Sequence, residues 1–344
     1  MALGGTGHYA AARTALRRLR ASTTDPVLLS LAASTEGSLR RQLGWHARAA
    51  HDDGLAAALV LPRLSGVSPA GLPRPALIYP DAPGRRNPDG LLDAAGAAGG
   101  EIAPGVACGG VCAGAGVAAA SAGLGVDALD AAGAAPRRPD DTEAAGYQRV
   151  PDSIDAAADA LIGLAADALG TGRLALATRL LDRCAALLED ECPSGSTGEG
   201  IARGETGGAA VDRSRALVRL HWVRAETALA GGRGEAALAA AEVALASAEH
   251  GPSIRHRVKS RLLVAAAAGV TGDTARAVEL AALVEEQCRE AGLVPLRWAC
   301  AMLRTGLPAP GAGPAAGHAS AAADAEACRA LISRRGGRFR DNGR

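Results

Sequence analysis

Apolar residues recur at three- and four-residue intervals in blocks along this chain, and the blocks pair up around short glycine-bearing breaks. Tyr9, Ala12, Leu16 and Leu19 form one such stripe, predicting a helix over 7–20. Asp25-Pro26 opens the next block, with proline suited to a first helical turn. A hairpin is predicted from Asp25 to Val60, turning at Gly44, with Ala47, Ala50, Leu55 and Leu59 on the apolar face of its second helix. A second hairpin follows from Ser153, read as the cap, to Glu189, with Leu161, Leu164, Ala168, Leu176, Leu180 and Leu187 facing inward. The third runs from Asp212 to Glu249 around Gly231-Gly232, and the fourth from Ser253 to Ala291 around Thr271-Gly272-Asp273. Val294–Leu303 supplies one more helix as an end cap.

Each break carries the same register. Gly44, Gly172, Gly232 and Gly272 are followed five residues later by Ala49, Ala177, Ala237 and Ala277, and preceded by seven by Gly37, Ala165, Ala225 and Ala265. Small residues fixed on two successive helices let their backbones approach, as close-packed helical hairpins require. Gly7 and Ala12 repeat the offset, so the chain begins as if with the second helix of a hairpin. Between the hairpins the pattern fails. Residues 61–150 are Gly/Ala/Pro-rich and are expected to be a disordered insertion, with a short strand conceivable at Ala76–Tyr79. Residues 193–210 read as a polar loop, 306–318 as a linker, and 306–344 as a flexible basic tail with a short helix. The predicted domains are therefore 1–60, the insertion 61–150, a repeat domain 151–305, and the tail.

This register resembles the tetratricopeptide repeat, in a degenerate, longer-unit form of the kind found in high-GC bacteria. The next small position of that pattern falls on Ala56, Cys184, Ala244 and Val284. The family's large aromatics and terminal proline are missing, and Gly232 and Gly272 stand 40 residues apart where the family unit is about 34. The resemblance implies an all-α, right-handed array whose first helices line a groove for extended peptides or partner helices. Carried onto this chain, groove positions fall on Ser34, Ser38, Arg41, Gln42, Asp159, Ile162, Arg219, Trp222, Glu226, Lys259 and Leu262. The Lys/Asn clamp for a peptide carboxylate is not present. Arg219, Trp222, Glu226 and Lys259 are the residues expected to hold a partner, Trp222 as an anchor among cations.

Composition narrows the chemistry. Alanine inflates a hydrophobic fraction of 48%, while aromatics make only 2%, so the core must depend on close helix approach. A net charge of +1 gives no global field for nucleic acid or membrane. The densest basic run, Arg255-His256-Arg257-Val258-Lys259-Ser260-Arg261, reads as a solvated helix end, with a phosphate or acidic-peptide site through Arg255, Arg257 and Arg261 as the alternative. Seven scattered cysteines give no disulfide framework, and Cys108-x3-Cys112 lacks a second ligand pair. His46 and His51 miss the i, i+4 spacing of a helical metal pair and are read as surface residues; His221 is read as packing. No Gly-x-Ser-x-Gly elbow or Walker lysine is present. Residues 102–126 carry no charge, but their seven glycines argue against a spanning helix. No secretory leader is read at the amino terminus, and the expected location is cytoplasmic.

The expected function is a non-catalytic scaffold or regulator gripping a protein or peptide segment, with no cofactor, metal or membrane partner and with the oligomeric state left open. The alternatives are a regulator of an anionic ligand or nucleic acid through 255–261, and an enzyme with an unrecognised site.

Overall fold

The computed structural model describes residues 4–64, 150–190, 211–308 and 314–340. Among the described residues the protein is all-α, with eleven helices and no strand. They are α1 (Tyr9–Ser22), α2 (Pro26–Arg41), α3 (His46–Leu64), α4 (Ser153–Gly170), α5 (Leu174–Asp190), α6 (Ser214–Ala230), α7 (Gly234–Glu249), α8 (Ile254–Thr271), α9 (Thr274–Glu290), α10 (Val294–Arg304) and α11 (Pro314–Arg334). The insertion beyond Leu64, the uncharged 102–126 stretch, Cys108, Cys112 and the 193–210 loop lie outside the described residues. No described helix is long and apolar enough to cross a membrane.

Local chemistry sets the helix starts. The Asp25 carboxylate accepts from the Val27 amide at 2.8 Å, with Pro26 in the first turn. Ser253 accepts from the His256 amide, and Asp273 from the Arg276 amide. In the second hairpin the cap is Asp152, not Ser153: Asp152 accepts from Ile154 and Asp155, and Asp155 returns a bond to the Asp152 amide. A carboxylate followed three residues later by another acid outcompetes the serine beside it.

The four turn glycines all take left-handed backbone, with φ of +83° at Gly44, +77° at Gly172, +69° at Gly232 and +92° at Gly272. A side chain is strained there, so the register starts from a backbone requirement. The alanines five residues on are each 0% exposed, as are Ala165, Ala225, Ala265, Ala56, Cys184, Ala244 and Val284. Each helix from α2 to α11 packs against its neighbours in sequence. The first helices α2, α4, α6, α8 and α10 also touch in succession, which makes one continuous stack.

One apolar face was misplaced by periodicity. In α3, Leu55 is 36% exposed and Ala47 is exposed. The buried stripe is His46, Ala49, Asp52, Asp53, Ala56, Ala57 and Val60. Polar residues hold the inner face here because partners await them on α2 and α4. The second departure is at the carboxyl end: the described part of the expected flexible tail is a 21-residue helix and a packed extension. Cys328 and Ile332 of α11 join Tyr9, Ala12 and Leu16 of α1 and Leu39 and Leu43 in one core cluster, flanked by Trp45, Trp298 and Phe339. The Ala10 amide donates to the Arg335 carbonyl at 3.2 Å, and the Arg340 amide to the Leu43 carbonyl at 2.8 Å. The first and last described segments therefore meet, and α1 packs against the carboxyl-terminal segment.

Candidate functional site: charged rungs between first helices

The stacked first helices carry charge where they touch. At the α2–α3–α4 junction the Arg41 guanidinium donates to Asp53, to Asp167 Oδ2 at 3.1 Å and to the Gly163 carbonyl at 3.2 Å. Ser34 donates to Asp53 Oδ1 at 2.7 Å. Arg41, Asp53 and Asp167 are 2%, 0% and 1% exposed. Burial pushes the Asp53 carboxyl well above the usual range, with Asp167 adding to the push and Arg41 opposing it. Burial works against a charged Arg41, but Asp167 and Asp53 hold its pKa above the ordinary value. His46 comes within 3.8 Å of Asp167 and is buried, which corrects its reading as a surface residue.

Glycines make this approach possible. A Cβ on Gly163 would fall 2.3 Å from Asp53 Oδ1, and one on Gly170 2.1 Å from His46 Nδ1. Both pairs are spaced by seven, Gly163/Gly170 on α4 and Asp53/His46 on α3, in opposite directions. The helices therefore lie antiparallel along two matched contacts.

Between α4 and α6, Asp159 accepts from Arg219 and from Arg215 Nη2, the latter at 2.8 Å. Arg213 donates to Asp152 at 2.7 Å and Asp155 at 2.8 Å, which ties the start of α6 to the cap of α4. Between α6 and α8, Lys259 Nζ stands 3.1 Å from Glu226 Oε1 and 4.5 Å above the Trp222 ring. The Trp222 indole donates to Ser260 Oγ at 2.8 Å and meets the His256 ring in a T-shaped contact. Burial lowers the Lys259 pKa, with Glu226 opposing.

The structure thus brings Arg219, Trp222, Glu226 and Lys259 close together, but at 3%, 1%, 0% and 2% exposure. They do not line an open groove; each is engaged between consecutive first helices, as are Ser34, Arg41 and Asp159. The basic run is likewise not a solvated end. Arg255, His256, Lys259 and Ser260 are buried, Arg257 donates to the Gly251 carbonyl at 2.7 Å, and Arg261 pairs with Glu249 at 3.5 Å. Helix α8 docks along its basic side because acidic and hydroxyl partners face it. His221 is half-buried, with its pKa lowered by burial and then by Arg224.

Sequence reasoning missed Asp53, Asp167 and His46. The available signal was three aspartates, Asp155, Asp159 and Asp167, in an otherwise Ala/Leu helix. Carboxylates on an apolar helix are seldom buried without partners. Cys184, Cys288, Cys300 and Cys328 are free and buried, and burial pushes the Cys184 and Cys300 thiols up to about 12. Among the described residues no group of His, Cys, Asp and Glu is arranged to hold a metal ion. Comparison with protein-family models, with curated proteins and with solved structures finds no match to the chain.

Proposed function

We propose that this chain is a non-catalytic, tetratricopeptide-like scaffold or regulator, and that it binds a segment of a protein partner through the face built by α2, α4, α6 and α8. The observation that supports this is the ladder of buried ion pairs that holds these first helices side by side in one stack. Three successive junctions carry Arg41–Asp53–Asp167, Arg219–Asp159 and Lys259–Glu226. Apolar residues of similar volume would commonly stabilise such junctions as well or better, so stability alone is a weak reason for charge there. These pairs are buried between the helices, so they hold the first helices in register, and a partner segment meets the exposed edge of the stack they fix. Arg215, whose side chain is 30% exposed, provides the accessible first contact.

The test is capture from native lysate with the full chain and with a Glu226→Gln/Lys259→Met variant. This pair of changes removes both charges at nearly constant shape, so helicity is expected to survive. A partner that withstands moderate salt and is lost in the variant supports the reading. Identical capture by both proteins, or no partner at all, refutes it.

A further inference from the structure

A cavity of about 330 Å3 opens where the two ends of the chain meet. Its walls include Tyr9 and Arg13 of α1, Arg40 of α2, Trp45 and Arg48 at the start of α3, and Arg338 of the carboxyl-terminal extension. Four arginines thus line one small space. Two are partly neutralised: Arg13 pairs with Glu36 at 2.9 Å, and Arg40 lies 3.4 Å from the same carboxylate and 3.0 Å from Asp52. Arg48 lies over the Trp45 ring, with its guanidinium carbon 4.5 Å from the ring centroid. The Trp45 indole in turn donates to the Arg338 carbonyl at 2.8 Å. Among the described residues, no carboxylate comes within ion-pair distance of Arg48 or Arg338. A second opening behind the extension, also bordered by Arg338, adds Arg329.

We infer that this cavity binds a small phosphate-bearing molecule, and that the bound phosphate locks the carboxyl-terminal extension onto α1 and α2. Planar guanidinium forks match phosphate oxygens in geometry and stay charged at any physiological pH. Glu36 and Asp52 offset Arg13 and Arg40, and a phosphate dianion would supply the counter-charge for Arg48 and Arg338. The volume falls at the small end of ligand sites, room for a phosphate with a short organic group against the Tyr9 and Trp45 rings. Arg13, Arg40 and Arg48 come from the amino-terminal part and Arg338 from the far end. A ligand touching both binds only the docked form, so its binding free energy adds to docking.

The full-length protein is titrated by calorimetry with inorganic phosphate and with glycerol phosphate at constant ionic strength. In parallel, hydrogen exchange is read at the Ala10 and Arg340 amides, which bridge the two ends. Binding of either probe is expected to slow exchange at both amides. Arg48→Gln and Arg338→Gln are expected to weaken binding by roughly tenfold or more, as for a lost charge-assisted contact, and to abolish the slowing. Arg289→Gln on α9 is expected to bind like the unaltered protein. No binding of either probe at millimolar concentration overturns the inference, as does equal binding by all three variants. Phosphate binding that leaves the two amides unchanged overturns the locking role.

Discussion

The substitution Gly163→Ala puts the packing account under the most direct strain. A methyl group at this position would lie 2.3, 2.5 and 2.7 Å from Oδ1, Cγ and Oδ2 of Asp53. The carboxylate cannot retreat across its site, because Gly37 closes the other side: a Cβ there would meet Asp53 Oδ2 at 2.6 Å. Asp53 is also fastened by Ser34 and Arg41. Accommodating the methyl therefore means breaking the Arg41–Asp53 pair or parting α3 from α4. Breaking a buried pair costs about 3–5 kcal/mol, and replacing glycine by alanine inside a helix returns about 1 kcal/mol. The expected net loss is about 2–4 kcal/mol, read as a lower urea midpoint by circular dichroism.

Gly54 gives the opposite sign from the same chemical change. It lies inside α3, one residue from Asp53, and a Cβ there meets nothing within 4 Å. Gly54→Ala is expected to stabilise by up to about 1 kcal/mol. In an Asp53→Ala background the Gly163→Ala penalty should largely disappear, since the clashing carboxylate is gone. If Gly163→Ala leaves the midpoint unchanged, or costs the same with and without Asp53, the close approach of α3 and α4 is not what requires glycine, and the reasoning fails.

Two further outcomes follow from the same structure. Burial raises the Asp52 carboxyl to about 6, with Arg40 opposing and Glu36 adding to the rise. The folded form therefore binds more protons than the unfolded chain between roughly pH 4 and 6. This residue's contribution falls as pH rises through that window, by up to about 3 kcal/mol from a shift of about two units; Asp52→Asn is expected to flatten that part of the stability profile, and an unchanged slope would rule the assignment out. Phe339 packs 5.1 Å from Trp298, centroid to centroid, at the junction of the chain ends. Phe339→Ala is expected to cost about 1–2 kcal/mol, less than a fully buried phenylalanine, and to speed exchange at Ala10; neither change would mean that the extension does not contribute to the fold.

Much of the architecture was written in small residues. Glycine at four turns and alanine five residues later could be read directly, because left-handed backbone and zero-clearance contacts admit few alternatives. The same logic, extended to Gly163 and Gly170, would have located the α3–α4 contact, but two glycines inside an apolar helix look like weak helix formers until the opposing Asp53 and His46 are known. Charged positions were harder for a different reason. Periodicity assigns aspartate and arginine to the outside, and in α3 it favoured Leu55 over Asp53; burial of Asp53 depends on Arg41 and Asp167, and Asp167 is more than a hundred residues away. Pairing across that distance leaves no local pattern. The closure between chain ends is of the same kind. Gly336 and Gly337 read as part of the flexible basic tail, yet Cβ atoms there would strike Ala10 and Tyr9 at 2.7 and 2.8 Å, so these glycines mark contact with α1 and not slack. Gly163 and Gly170 thus mark where another segment comes too close for a side chain, bringing a carboxylate and an imidazole, whereas Gly54, with open space around it, carries no such message.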